Sequence, residues 1–227
     1  MTAAVIGEMG PPHRRHRCRR RSLRPVQLAV LVPVKRFAAA KGRLRGVIPD
    51  DDRARLAQWM AEQVLAACTG LECFVACDDD DVRSWAEAQG ATVAWGPQLG
   101  LNRAVDDGVA AISERGFDHV IVSHADLPLP SALPAVARAG TITLVPDRRL
   151  DGTNVMAFPT DRPVAASYGG GSFRRHLVAA QRLGGTVEVR RDHNLSIDLD
   201  TVDDLQHPLV EEALPPWLRT NPVNPAD

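Results

Sequence analysis

Residues 27–34 read Gln-Leu-Ala-Val-Leu-Val-Pro-Val, an apolar run unbroken after its first position. A strand with one wet face alternates apolar and polar side chains, so a run of this kind is a strand buried on both faces. Such strands sit in the middle of parallel sheets covered by helices. The downstream pattern supplies the helices. Asp50–Ala67 predicts one, with acids in its first turn and Leu56, Trp59, Met60 and Val64 on one face. Further strands are expected over Glu72–Ala76, Thr92–Ala94, His119–Ser123, Thr141–Val145, Asn154–Phe158 and Thr186–Val189. Helices are expected over Val82–Gln89, Leu101–Glu114, Ser131–Arg138 and Phe173–Leu183. Strands separated by helices imply a mostly parallel sheet with right-handed crossovers. No internal repeat or long Pro/Gly linker divides the chain, so one α/β domain is expected over residues 26–212.

The two ends break this pattern. The stretch His13–Arg21 is basic and lacks apolar periodicity, so residues 1–25 are expected to be a disordered Arg-rich leader. It reads as a solvated tail or as a start assigned too far upstream, rather than as a nucleic-acid arm. Pro215, Pro216, Pro222 and Pro225 mark residues 213–227 as a frayed Pro-rich tail. The net charge of −1 is split: seven arginines and one glutamate give the first 25 residues +6, which leaves −7 for the rest. An acidic body does not suit a nucleic-acid backbone. Leu28–Val32 behind basic residues superficially resembles a signal peptide, but it is short, β-branched and broken by Pro33 and Lys35-Arg36. No apolar stretch approaches the roughly 18 residues of a membrane span. Cys18, Cys68, Cys73 and Cys77 form no CxxC pair and read as packing residues, so a cytoplasmic protein without a membrane partner is expected.

Two apolar segments run into acids. Val122-Ser123-His124-Ala125-Asp126 places Asp126 at a strand's carboxyl end, where open α/β sheets bind ligands. In Ile197-Asp198-Leu199-Asp200 the two aspartates are two apart, so an extended backbone points both to one side. Three converging carboxylates repel one another unless a cation sits among them, and hard oxygen ligands suit Mg2+ with a bound phosphate. These residues read as a metal-dependent enzyme acting on a nucleotide.

After the first strand comes the basic loop Lys35–Leu44, whose Lys35, Lys41 and Arg43 can neutralise triphosphate and leaving pyrophosphate. It is neither a Walker loop nor GxGxxG, which disfavours a P-loop ATPase or a dinucleotide dehydrogenase. Gly100 and Asn102 open a helix, where backbone can approach a ligand closely. Gly169-Gly170-Gly171-Ser172 also opens a helix: it is either an amide cradle for a phosphate or carboxylate, or a flexible loop with Ser172 as its cap. His176 follows one turn later, as an anion ligand or a structural histidine. His124 beside Asp126 lacks a GxSxG nucleophile, and the spacing for zinc is missing.

Taken together and in order, VPVKRFAAAKGRL, GLNRA, SHADLPL, DGTN, GGGSFRRH and IDLD resemble the phosphoenolpyruvate or 2-phospho-L-lactate guanylyltransferases of coenzyme F-420 (deazaflavin) biosynthesis. The resemblance runs from about Leu28 to Leu205 and implies the Rossmann-like nucleotidyltransferase fold of the nucleotide-diphospho-sugar transferase type. It implies transfer of GMP from GTP to phosphoenolpyruvate, or 2-phospho-L-lactate, giving enolpyruvoyl-2-diphospho-5'-guanosine and pyrophosphate. By that similarity Asp126, Asp198 and Asp200 are catalytic and hold Mg2+. Thr153, Gly169 and Ser172 bind the phospho-acid, and Lys35, Lys41 and Asn102 lie on the nucleotide side. Gly42 stands where a small hydroxyl residue is expected. A deazaflavin-accepting transferase would act downstream. Two other readings stay open: a related molybdenum-cofactor or sugar-phosphate nucleotidyltransferase, and a nucleotide-binding regulator without catalysis.

Overall fold

Successive strand residues face opposite sides of a sheet, and here both sides are covered. The computed structural model describes residues 25–97 and 100–219. Its seven strands are β1 (Leu28–Pro33), β2 (Glu72–Cys77), β3 (Thr92–Trp95), β4 (His119–Ser123), β5 (Thr141–Pro146), β6 (Thr153–Pro159) and β7 (Thr186–Val189). They form one sheet in the order β3-β2-β1-β4-β6-β5-β7. All neighbours are parallel except β6, which runs antiparallel to both β4 and β5. The expected architecture, a single α/β domain with a mostly parallel sheet, is the observed one.

The alternation is explicit in β1. Val30 and Val32 enter a core shared with Val64 and Leu65 of helix α1 (Asp50–Ala67) and Val82 and Ala86 of α2 (Asp80–Ala88). Ala29 and Leu31 enter the opposite core, with Val105 and Ile112 of α3 (Gly100–Glu114) and Ala180 of α4 (Ser172–Arg182). A third apolar cluster lies beyond the sheet. It joins Leu44 of the basic loop, Leu56 and Met60 of α1, and Ile197 and Leu199 of the acidic segment. Short helices α5 (Val202–Leu205), α6 (Pro208–Ala213) and α7 (Pro216–Arg219) complete it with Leu205, Val210, Leu214 and Leu218.

Three expectations are corrected here. Residues 195–200 are turn and irregular chain rather than strand, although Ile197 and Leu199 are buried and Asp198 and Asp200 are half-buried. Apolar anchoring in the third cluster imposes the alternation that a sheet ladder would otherwise have supplied. The helix expected over Ser131–Arg138 is a 3₁₀ segment over Pro130–Val136, because Pro134 inside it has no N–H to give an α-helical bond. The tail expected to fray from 213 is packed through residue 219, since Leu214 and Leu218 bury apolar surface. The remainder of that tail, and the leader before Pro25, lie outside the described residues.

Helix α3 crosses β1 at Gly108, where a Cβ would stand 2.9 Å from both methyl carbons of Leu31. Close approach of helix to sheet therefore depends on the absent side chain. Gly108→Val is expected to destabilise the fold by about 1–3 kcal/mol through overpacking, read as a lower midpoint in urea denaturation.

Candidate active site

The reversed direction of β6 decides which residues meet. Its first residues lie beside the last residues of β4, with Ser123 opposite Val155. The His124 N–H continues the ladder by donating to the Asn154 carbonyl at 3.0 Å. Asp126 and Thr153, 27 positions apart in the chain, thus stand at the same sheet edge. Asn154 extends the frame: its buried Nδ2 donates to the Leu195 carbonyl at 3.0 Å and holds the segment that leads to Asp198 and Asp200. Leu199 N–H donates to the Asp126 carbonyl at 3.2 Å, joining the two acidic segments backbone to backbone.

The basic loop is folded by 3₁₀ turns over Phe37–Ala39 and Gly42–Leu44. Between them Lys41 adopts φ 55, ψ 39, a left-handed conformation that a lysine rarely takes. Two anchors enforce it. Buried Arg53 donates from Nη1 to the Ala40 carbonyl at 2.8 Å, and Leu44 is sealed in the third cluster. Lys41 is turned inward as a result. Its Nζ donates to Asp126 Oδ2 at 2.8 Å and to Asp200 Oδ1 at 3.0 Å.

The charges are strongly coupled. Burial opposes the Lys41 ammonium, but Asp126 and Asp200 outweigh it and hold its pKa above the usual lysine range. Burial likewise opposes the Asp126 carboxylate, and Lys41, followed by His124, brings its pKa below the ordinary value. Asp198 has no such partner: burial, then repulsion by Asp126 and Asp200, raises its carboxyl pKa. Among the described residues no three His, Cys, Asp or Glu side chains are drawn together tightly enough to hold a metal ion as they stand. The donor set nonetheless fits a hard divalent cation in chemistry. Asp126 Oδ1 is a buried oxygen without a hydrogen-bond partner among the described residues, and Asp198 carries charge that its neighbours disfavour.

Cavities open on either side of these acids. One, of about 360 Å³, is lined by Lys35, Phe37, Lys41, His124, Asp126 and Asp200, and a further one continues past Lys35 towards Asp79 and Gly100. The other, of about 410 Å³, is lined by Arg149, Gly169, Ser172, Asp198, Asp200 and His124. His124 and Asp200 belong to the wall that the 360 Å³ and 410 Å³ cavities share.

The second cavity is framed by the turn 147–152. Asp147 accepts from the N–H groups of Asp151 at 3.0 Å and Gly152 at 2.8 Å. A Cβ on Gly152 would fall 2.8 Å from the Asp147 carboxylate, so glycine is required for this closure. Asp151 in turn accepts from Gly171 N–H with both oxygens, at 3.0 and 3.1 Å, which ties the DGTN and GGGS motifs together. Arg148 pairs with Asp204, whose Oδ2 accepts from Asp200 N–H at 3.0 Å and Thr201 N–H at 2.8 Å. That capping box at the start of α5 fixes the backbone of Asp200.

Thr153 is wholly buried, and its Oγ1 lies 3.0 Å from His176 Nδ1. The tautomer follows from the other nitrogen. Ser167 N–H donates to His176 Nε2 at 2.9 Å, so Nε2 carries the lone pair and Nδ1–H donates to Thr153. Burial, with Arg175 and His124 nearby, lowers the His176 pKa to about 4 and keeps the ring neutral. Asn102 Oδ1 accepts from Tyr168 N–H at 2.7 Å and so pins the loop before the glycines.

Comparison with known proteins agrees with this geometry. The family model described as "Guanylyl transferase CofC like" matches residues 28–211. The chain belongs to the CofC-like guanylyltransferase family. The phosphoenolpyruvate guanylyltransferase of Conexibacter woesei is 35% identical over 187 residues, covering 77% of this chain and 84% of that protein. The corresponding protein of Sphaerobacter thermophilus is 31% identical over 185 residues, covering 78% and 89%. The 2-phospho-L-lactate guanylyltransferase of Methanocaldococcus jannaschii is 24% identical over 187 residues, covering 79% and 81%. Among solved structures, a proposed nucleotide-diphospho-sugar transferase from Desulfovibrio desulfuricans G20 superposes with a TM-score of 0.65 at 19% identity, covering 79% and 85%. A 4-diphosphocytidyl-2C-methyl-D-erythritol synthase gives 0.57 at 17%, covering 84% and 99%. The fold is that of nucleotidyltransferases.

In this guanylyltransferase the structure brings Lys35, Lys41, Asp126, Asp198, Asp200, Gly169 and Ser172 around two adjoining cavities, with Thr153 behind the wall. Arg53 and Asp147 were missed from sequence because they act by holding backbone, which leaves no motif; Arg148 acts through the Asp204 carboxylate, and Asp151 stood in the DGTN motif without a role. Thr201-x-x-Asp204 is a capping pattern that sequence does display. His176 yields a pH prediction. Its folded pKa of about 4 lies below the ordinary value near 6.5, so its contribution is present above pH 6.5 and is lost as pH falls towards 4. His176→Asn should therefore show a shallower fall in stability between pH 7 and pH 4.5 than the parent, measured by urea denaturation.

Proposed function

We propose that the protein transfers GMP from GTP to phosphoenolpyruvate, releasing pyrophosphate, as a Mg2+-dependent step of coenzyme F-420 biosynthesis. The observation that carries the reading is the shared wall: two cavities, one reached by Lys35 and Lys41 and one glycine-framed, meet at His124 and Asp200 beside the acids. An enzyme that joins two anions needs such a division, because each must be neutralised separately before they can approach. The names of the relatives that match over three quarters of the chain support phosphoenolpyruvate as the acceptor.

The attacking atom is an acceptor phosphate oxygen, already anionic at neutral pH, so no protein nucleophile is needed. Lys35 and Lys41 neutralise the triphosphate and the departing pyrophosphate. Gly169 and Ser172, at the amino end of α4, line the acceptor cavity beside Arg149 and Gly170. Asp126, Asp198 and Asp200 would hold Mg2+, which when bound offsets phosphate repulsion and polarises the α-phosphoryl group. Protein groups thus supply position and charge, the main demands of phosphoryl transfer. The downstream deazaflavin-accepting transferase would take the product, and a cytoplasmic setting fits these substrates.

The test is pyrophosphate release with GTP and Mg2+, comparing phosphoenolpyruvate, 2-phospho-L-lactate, 3-phosphoglycerate and no acceptor. Release that requires GTP and is fastest with phosphoenolpyruvate is expected; equal release without any acid would refute the transfer. Asp126→Asn and Asp198→Asn should each lower turnover at least about 100-fold while circular dichroism shows the fold intact. A chelator should abolish turnover, and added Mg2+ should restore it.

A further inference from the structure

Most buried polar atoms of this protein are paired, as burial demands. Among the described residues the exceptions include His124 Nε2, Asp126 Oδ1 and Tyr168 Oη, which belong to side chains in one place. The Tyr168 ring lies 5.1 Å from the His124 ring, and His124 Nδ1 lies 3.8 Å from Asp126 Oδ1. A buried polar atom without a partner destabilises the folded state, so three such atoms close together call for a partner from outside the chain.

Tyr168 is held firmly by everything except its hydroxyl. Its backbone N–H donates to Asn102 Oδ1 at 2.7 Å, and the neighbouring Ser167 N–H donates to His176 Nε2 at 2.9 Å. His176 meets the ring edge to face at 5.0 Å, and His124 packs on it from the end of β4. Tyr168 also lines the same cavity as Gly169, Gly170 and Ser172. Burial raises the phenol pKa further, so the group remains a hydrogen-bond donor throughout the working pH range. Among the described residues nothing pairs with this hydroxyl, and the Tyr168 side chain borders the cavity.

We propose that Tyr168 is an acceptor-binding residue whose phenol hydroxyl donates to an anionic phosphate oxygen of the phospho-acid, beside the wall it shares with the nucleotide. The inference rests on the guanylyltransferase reading of the cavity and adds to it a specificity-determining donor. Asn102 and His176 then serve as positioning residues for this loop, each accepting from one of its N–H groups. The neutral His176 tautomer serves two neighbours at once, one nitrogen for the Tyr168 loop and one for Thr153.

Tyr168→Phe removes the hydroxyl and leaves the ring. Without ligand, the melting temperature of this variant should equal or exceed that of the parent, because an unpaired buried hydroxyl is lost. Its KM for phosphoenolpyruvate should rise about 10- to 100-fold, the worth of one hydrogen bond to a charged group, while its KM for GTP stays within about two-fold. A second arm measures the melting-temperature shift produced by inorganic phosphate and by phosphoenolpyruvate as separate probes, which reads the grip on phosphate without turnover. That shift should shrink in the variant. An unchanged acceptor KM, an equal phosphate shift in parent and variant, or a lower melting temperature of the free variant would each overturn the proposal. Failure of the parent itself to transfer GMP to any acid would instead overturn the guanylyltransferase reading, and the phosphate arm would still judge Tyr168.

Discussion

Lys41 brings one ammonium group to Asp126 and Asp200, carboxylates that lie 85 and 159 positions further along the chain. Three segments with no ladder between them are drawn to one point by that cation. The pairing is mostly buried, so its strength depends on geometry, and breaking it by removing one partner would leave an uncompensated charge. The protein meets this demand with rigid support. Arg53 holds the Ala40 carbonyl, Leu44 is locked beside Ile197 and Leu199, and Asp204 caps the turn at Asp200. The left-handed backbone at Lys41 is the local cost of turning the ammonium inward.

The sheet provides the second constraint. Parallel strands β1 and β4 end at one edge, and β1 is where the strand order divides, the usual ligand site of an open α/β sheet. Reversal of β6 adds the start of a strand to that edge, and with it the turn 147–152. Groups from the end of β4 and from the start of β6 therefore reach that edge from opposite directions of the chain. Two cavities adjoin there, with Leu101, His124 and Asp200 in the lining of both.

Much of this was legible in the sequence. Strand residues were readable because burial on both faces leaves an unbroken apolar run, as in β1, and α1 was readable from acids at its start and an apolar face. The acids Asp126, Asp198 and Asp200 were readable because ionised side chains after apolar runs have few structural excuses. The conformation of 195–200 was not, since an alternating pattern looks the same whether a neighbouring strand or a side-chain cluster enforces it. Nor was the partner of Lys41, because a basic loop carries no sign of which charge it meets first. The packed segment through residue 219 escaped because prolines mask the apolar spacing of Leu214 and Leu218. Asn102 and His176 were visible as polar residues, but their targets are backbone N–H groups, which every sequence has everywhere.

The proposed reaction places GTP and the phospho-acid in the two cavities that share His124 and Asp200. A crystal structure of the Asp198→Asn protein with GTP, Mg2+ and phosphoenolpyruvate tests it most directly. The triphosphate is expected against Lys35 and Lys41, and the phospho-acid against Gly169 and Ser172, with one of its phosphate oxygens directed at the α-phosphorus. Both ligands in a single cavity, or the acid bound away from the 147–172 frame, would contradict it.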